Sequence, residues 1–171
     1  MPSPLAGLDV RLQSERDVAA LCGEQDLDLR EPSVTAAYSR GDFCVAAYDG
    51  GLVAGYCWLA FAPLPHLDGV SVKFGRQVAW VYKSLVRPTH RGRGIAPHLY
   101  RYADAACRER GRTSSVICVE SHNAPSVAAA LRAGYADIGR AAYVRRGPVF
   151  LDWYSAPVRE HGVSFFIPDR R

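Results

Sequence analysis

The sequence predicts an α/β (α+β) fold built on a mixed, mostly antiparallel sheet, and three observations predict it. Residues 43–48 and 52–61 are β-rich and flank the turn signal Asp49-Gly50-Gly51, which makes an antiparallel hairpin. Residues 78–86, with Trp80 and Tyr82, form a third strand that stops at Arg87-Pro88, because proline cannot donate to a ladder. A glycine-bearing turn, an amphipathic run and a short β-branched run at 115–119 then follow. That order is a crossover joining parallel strands, the last of them buried on both faces.

The remaining elements follow in chain order. Residues 8–12, Leu-Asp-Val-Arg-Leu, alternate apolar and polar as a half-buried strand does. Ser14, followed by Glu15 and Asp17, is a helix N-cap with acids in the first turn, and a helix or helix pair fills 15–40 with a break at Pro32. Residues 63–77 carry two prolines and two glycines without a period and read as a long loop, with a short strand near 70–74. Residues 98–110 form one amphipathic helix with Leu99, Tyr102, Ala103 and Ala106 on one face, Pro97 in its first turn and Gly111 after its end. Asn123, with Pro125 behind it, caps a further helix.

Composition narrows the function. A chain of 171 residues, 49% hydrophobic and 22% charged, is one globular domain over 1–171. The net charge of +4 suits a small anionic ligand without requiring a nucleic acid. Five cysteines without a C-x-x-C pair indicate neither a disulfide framework nor a zinc cage, and His66, His90, His98, His122 and His161 lack metal-ligand spacing, so no metal is expected. With no secretory leader and no apolar stretch near 20 residues, a cytoplasmic protein without a membrane partner is expected. RNA binding through Arg91-Gly92-Arg93-Gly94 and Arg170-Arg171 is disfavoured, since no aromatic platform lies beside them.

The chemistry concentrates at Arg91-Gly92-Arg93-Gly94-Ile95-Ala96. Glycines let successive N–H groups converge, and the following helix adds positive potential, so the turn forms a cup for a phosphate or pyrophosphate with Arg91 and Arg93 around it. A tight basic turn that binds nothing is the alternative from the glycines alone. The turn is not a Walker A loop, lacking Gly-Lys-Ser/Thr. Nor is it a dinucleotide fingerprint, since Pro97 stands where glycine or alanine is required.

Residues 91–96 match Q/R-x-x-G-x-G/A, and the chain thereby resembles the GNAT superfamily of N-acetyltransferases. Residues 85–88, Leu-Val-Arg-Pro, resemble the end of that family's central strand, and Asn123 with Gly134-Tyr135 resembles its N-x10-G-F/Y segment. The resemblance covers about residues 43–154 and implies a GNAT fold: a twisted central sheet with a splayed parallel strand pair and flanking helices. It implies acetyl-CoA as co-substrate, with the pyrophosphate on Arg91, Gly92, Arg93, Gly94, Ile95 and Ala96, and with Asn123 and Ser126 also contacting the donor. The amide of Leu85 or Val86 would polarise the thioester carbonyl. A primary amine of a small molecule or peptide would attack directly in a ternary complex.

Here the chain departs from the pattern. Ala130 stands where relatives carry a tyrosine that protonates the thiolate, and Cys118, expected to pack as a small apolar group, stands where some carry a basic glutamate. Glu120 and His122, on the face of Cys118 by β alternation, are the candidate bases, and Tyr135, with Tyr143 behind it, is the candidate acid. A catalytically weak acyl-CoA-binding regulatory protein is therefore the alternative function. Asp68 and Asp152 are the acids available for a cationic acceptor. The apolar tail at 163–167 is expected on a neighbouring subunit, as in a homodimer, or on its own sheet.

Overall fold

The computed structural model describes residues 7–67, 69–147 and 149–168. In chain order its elements are β1 (Leu8–Gln13), α1 (Glu15–Ala19), α2 (Glu31–Ser39), β2 (Phe43–Asp49), β3 (Leu52–Ala60), β4 (Leu64–Pro65), β5 (Ser71–Lys73), β6 (Val78–Val86), a 3₁₀ turn at Pro88–His90, α3 (Ile95–Glu109), β7 (Ser114–Ile117), α4 (Ala124–Ala133), β8 (Ala141–Arg146), β9 (Val149–Tyr154), α5 (Ala156–Glu160) and β10 (Ser164–Phe166). The main sheet has the order β1-β2-β3-β6-β7. Its first three pairings are antiparallel and the β6–β7 pairing is parallel, so the expected mixed sheet is present.

Helices cover both faces of this sheet, which is why β2, β3 and the first half of β6 are nearly continuous apolar runs. Val45, Cys57, Leu59 and Val81 pack on one side with Ile95, Leu99, Ala103 and Cys107 of α3. Cys44, Ala46, Tyr56 and Trp58 pack on the other with Val18, Leu27, Val34 and Ala37 from the α1–α2 region. A second layer, with Trp80 and Val116 of the main sheet, gathers Leu64, Val72, Tyr154, Val158 and Phe165.

Local chemistry explains most boundaries and several departures from the sequence reading. Ser14 accepts from the Asp17 N–H and Asp17 accepts from the Ser14 N–H, a capping box worth about 1 kcal/mol. Pro32 does not break a helix but sits in the first turn of α2, where a missing N–H costs nothing; the interruption lies between α1 and α2. In the hairpin Asp49 pairs with Leu52, and Gly50 and Gly51 take φ values of +56° and +87°. The two glycines, rather than Asp49, therefore supply the left-handed backbone. Within 63–77 the short strand expected near 70–74 is present as β5, and the unforeseen β4 and β10 flank it in a separate antiparallel sheet. The tail thus packs on its own chain, with Phe165 buried.

The expected helix at 98–110 begins earlier, at Ile95, with Gly94 as its N-cap. Its buried face is Ile95, Leu99, Tyr100, Ala103, Ala106 and Cys107, while Tyr102, assigned to the core by spacing, is exposed. The strand expected at 115–119 ends at Ile117.

Candidate active site

The site is built where β6 and β7 stop pairing. Their register runs from Val78 opposite Ser114 to Val81 opposite Ile117, after which β6 continues to Val86 without a parallel partner. Across β6 from this gap, the β3 register shifts between Tyr56 and Trp58, which face Leu85 and Tyr82. Lys83 and Ser84 thus oppose Cys57 alone, a bulge that re-aims the end of the strand. Lys83 adopts φ +42°, unusual for a side-chain-bearing residue, and its Nζ donates to the Asp28 carbonyl at 2.6 Å.

Past the bulge the ladder fixes which amide faces the gap. Arg87 N–H bonds the Ala54 carbonyl at 2.9 Å, and Gly55 lies opposite Val86. In an antiparallel pair such positions alternate, so Leu85 turns its N–H toward β3 and Val86 turns its N–H and carbonyl away from it. Consistent with this, the Val86 carbonyl accepts from Arg91 Nε at 3.2 Å. Of Leu85 and Val86, therefore, only Val86 has its N–H turned away from β3. Glycine is required at Gly55, because a Cβ there would stand 2.7 Å from the Leu85 oxygen.

The glycine turn follows directly. Gly92 and Gly94 take φ values of +76° and +80°, and Gly94 caps α3 without any side chain bonding the N–H groups of its first turn. Ile95 is buried beneath the turn and Ala96 partly so, which fixes the base of the cup. Arg91 is exposed. Arg93, counted as free positive charge from the sequence, instead donates to Asp49 Oδ2 at 2.6 Å, with His90 Nε2 3.6 Å from the same oxygen. Asp49 offsets its charge and pins the turn to the β2–β3 hairpin.

A cleft of about 1480 Å³ opens on the other side of Ser84. Its walls include Val34 and Ala37 of α2, Trp80 and Tyr82 of β6, Tyr100 of α3, residues 116–121, Asn123 before α4, and Ser126 and Ala130 of α4. The Asn123 side chain accepts from the Ser126 N–H at 3.2 Å, so it is a helix cap on the cleft wall. Ala130 is buried, and on α3 the Tyr100 hydroxyl lies 2.6 Å from Ser84 Oγ.

The three candidate proton-transfer residues stand differently from the sequence expectation. Because β7 ends at Ile117, Glu120 and His122 lie in the loop before α4, and strand alternation does not order them. They pair with each other at 3.2 Å with side chains 61% and 81% exposed, and Glu120 is on the cleft wall. Tyr135 is half-buried against Tyr100. Ser115 donates to Asp104 at 2.7 Å, so the Ser115–Tyr135 contact at 2.9 Å uses the tyrosine's proton. Burial pushes the Tyr135 hydroxyl well above its ordinary range. A phenol so held is a weak acid, which argues against the expected role. Tyr143 packs among aromatic rings beside Phe165 and Phe150. Cys118 is exposed on the cleft wall rather than packed. Asp152 accepts from Tyr154 on β9, and Asp68 lies outside the described residues.

One group behind the cleft wall, beneath Arg40 and Tyr82, was missed by sequence reasoning. Asp42, whose side chain is fully buried, accepts from Arg40 Nη2 and from the Tyr82 hydroxyl, both at 2.6 Å. Burial pushes its carboxyl upward against those two hydrogen bonds. The only sequence signal was an Arg-x-Asp at the end of α2, indistinguishable from a solvated turn. Among the described residues no group of three or more His, Cys, Asp or Glu is placed to hold a metal, and no helix is long and apolar enough to cross a membrane.

Solved structures share this architecture. They include the aminoglycoside N-acetyltransferase AAC(6')-Iy in complex with a CoA bisubstrate analogue, at 15% identity and TM-score 0.63 over 81% of this chain and 97% of that one. The aminoglycoside 6'-N-acetyltransferase AAC(6')-Ih from Acinetobacter baumannii aligns at 17% identity and TM-score 0.60 over 82% and 99%. The yncA protein of Salmonella typhimurium, solved with acetyl-CoA, aligns at 17% and TM-score 0.62 over 96% of each chain. At these identities the likeness establishes the fold, which is that of an N-acetyltransferase domain. The acetyltransferase (GNAT) family model matches residues 12–135, and the chain belongs to that family. No curated protein sequence matches it.

Proposed function

We propose that this protein moves an acetyl group from acetyl-CoA to a primary amine by direct attack in a ternary complex. The observation that carries the reading is the parting of β6 and β7 beyond Val81 and Ile117, beside a left-handed glycine turn that opens α3. The residues present fit the donor. Main-chain N–H groups of Gly92, Gly94, Ile95 and Ala96, with Arg91 at the rim, would hold the diphosphate. Arg93 would serve by fixing the turn through Asp49. The Val86 N–H would hydrogen-bond the thioester oxygen as it gains charge. Asn123 and Ser126 would border the pantetheine arm.

The amine enters from the cleft, and Glu120, backed by His122, is the base nearest solvent for its proton. With Ala130 in place of a hydroxyl and Tyr135 bonded to Ser115, the departing thiolate would leave as the anion toward water. That same feature supports the second reading, a catalytically weak acyl-CoA-binding regulator. The unpaired thiols Cys44, Cys57 and Cys107, all buried, fit a reducing cytoplasm.

Two measurements on the full chain separate these. Calorimetric titration with acetyl-CoA is expected to show one site, and no binding would overturn both readings. Thiol release on an amine panel is expected to show turnover, whereas binding without release on any amine would favour the regulator.

A further inference from the structure

Arg40 follows the last residue of α2 and reaches the cleft wall with its side chain 26% exposed. Its guanidinium is fixed from behind. Nη2 donates to Asp42 Oδ2 at 2.6 Å and to the Tyr82 hydroxyl at 3.3 Å, while Nε and Asp42 Oδ1 are buried without partners. Nη1 has no protein partner among the described residues and is not among the buried unpaired atoms, so it is the solvent-accessible donor of a side chain that lines the cleft. A fully buried carboxylate that engages one nitrogen and leaves another presented is a built donor rather than a surface arginine waving in solvent.

Further charge on the cleft wall is asymmetric. Arg30, at the other end of α2, lines the same cleft and forms no ion pair among the described residues. Lys83 is tied to Asp28, and Arg140 to Asp137. Glu120 stands at the β7 end. The cleft therefore presents donors at its α2 end and an acid where the amine must lose its proton. A polycation would meet Arg30 unfavourably and find only a hydrogen-bond donor at Arg40, whereas a molecule with an ammonium and a carboxylate matches both ends.

We infer that Arg40, oriented by Asp42 and Tyr82 and assisted by Arg30, binds a carboxylate of the acetyl acceptor, so that the acceptor class is the aminocarboxylates. The inference rests on the acetyltransferase reading. Its test is thiol release from acetyl-CoA by the full chain, using ω-aminocarboxylates from glycine to 6-aminohexanoate, their carboxamides, the matching alkylamines and one aminoglycoside. At one or more spacings the carboxylate is expected to exceed its amide and alkylamine in kcat/KM by about 10- to 100-fold, the worth of a charge-assisted hydrogen bond. In Arg40→Met that preference should fall to about one through KM. The double variant Arg40→Met with Asp42→Asn should behave alike and avoids an orphaned buried charge that could unfold the single variant. Equal use of amides or alkylamines, preference for the aminoglycoside, or a preference that survives in the variants would overturn the carboxylate site. Retained acetyl-CoA binding with no carboxylate turned over would also overturn it, while absent acetyl-CoA binding identifies failure of the acetyltransferase reading itself.

Discussion

Val81 and Ile117 are the last residues at which the two parallel strands of the main sheet lie opposite each other, and everything assigned to the donor lies beyond that pair. The gap exists because β6 is extended past the bulge at Lys83 and Ser84 while β7 turns into the loop carrying Glu120. The one β6 amide past the bulge turned from β3 before the strand ends is that of Val86.

Val86→Pro removes this N–H without removing a bond of the β3 ladder. Turnover is expected to fall by about 10²–10³-fold, the usual effect of losing one oxyanion donor, with acetyl-CoA affinity changed far less. Parallel steady-state kinetics and calorimetry check it; a variant with kcat within a few-fold of the parent would remove Val86 from the mechanism.

Gly55→Ala tests the close approach of β3 to β6. Its Cβ would meet the Leu85 oxygen at 2.7 Å, a backbone atom that cannot swing aside. Overpacking of this kind costs about 1–3 kcal/mol, and the melting temperature should drop by about 2–4 °C for each kcal/mol. An unchanged melting temperature would show that the strands are further apart than described.

Gly94→Ala places a side chain on a φ of +80°, where the backbone penalty is about 1–2 kcal/mol. Open space surrounds the position, so strain rather than collision is tested. Both thermal stability and acetyl-CoA affinity should fall, since the helix cap and the anion cup share this residue. Loss of stability with affinity intact would separate the cap from the cup.

Much of the fold was legible in the residues, and the failures have physical causes. The hairpin and β6 followed from turn chemistry and β-branched runs, and the Asn123 and Ser14 caps from side chains that bond their own backbone. The short strand expected near 70–74 is β5, whereas β4 and β10 were obscured because pairing distant in sequence, not local propensity, creates them. Tyr100 and Tyr102 both fit a helix, and only packing against α4 decides that Tyr100 enters the core. In the site, the glycine turn was readable because backbone freedom is written in glycines. The partners Asp49 for Arg93, Ser115 for Tyr135 and Asp42 for Tyr82 were not, because each is made by tertiary contact.

Alkaline pH offers an independent check on the buried tyrosines. Burial raises the hydroxyls of Tyr38, Tyr56, Tyr82, Tyr100 and Tyr135 above their ordinary value of 10.0. The unfolded chain then loses protons near pH 10 that the folded chain retains, so stability is intact below that pH and declines as pH rises beyond it. Phenolate absorbance from these five should appear together with unfolding. Their ionisation in a chain still folded by circular dichroism would contradict their burial.

The position of the diphosphate in a coenzyme A complex tests the central claim most directly. A crystal structure of that complex is expected to place diphosphate oxygens about 2.7–3.2 Å from main-chain nitrogens of residues 92–96, with the pantetheine arm running between Val86 and the loop after Ile117. Coenzyme A bound elsewhere, or a turn whose N–H groups face away from it, would contradict the account.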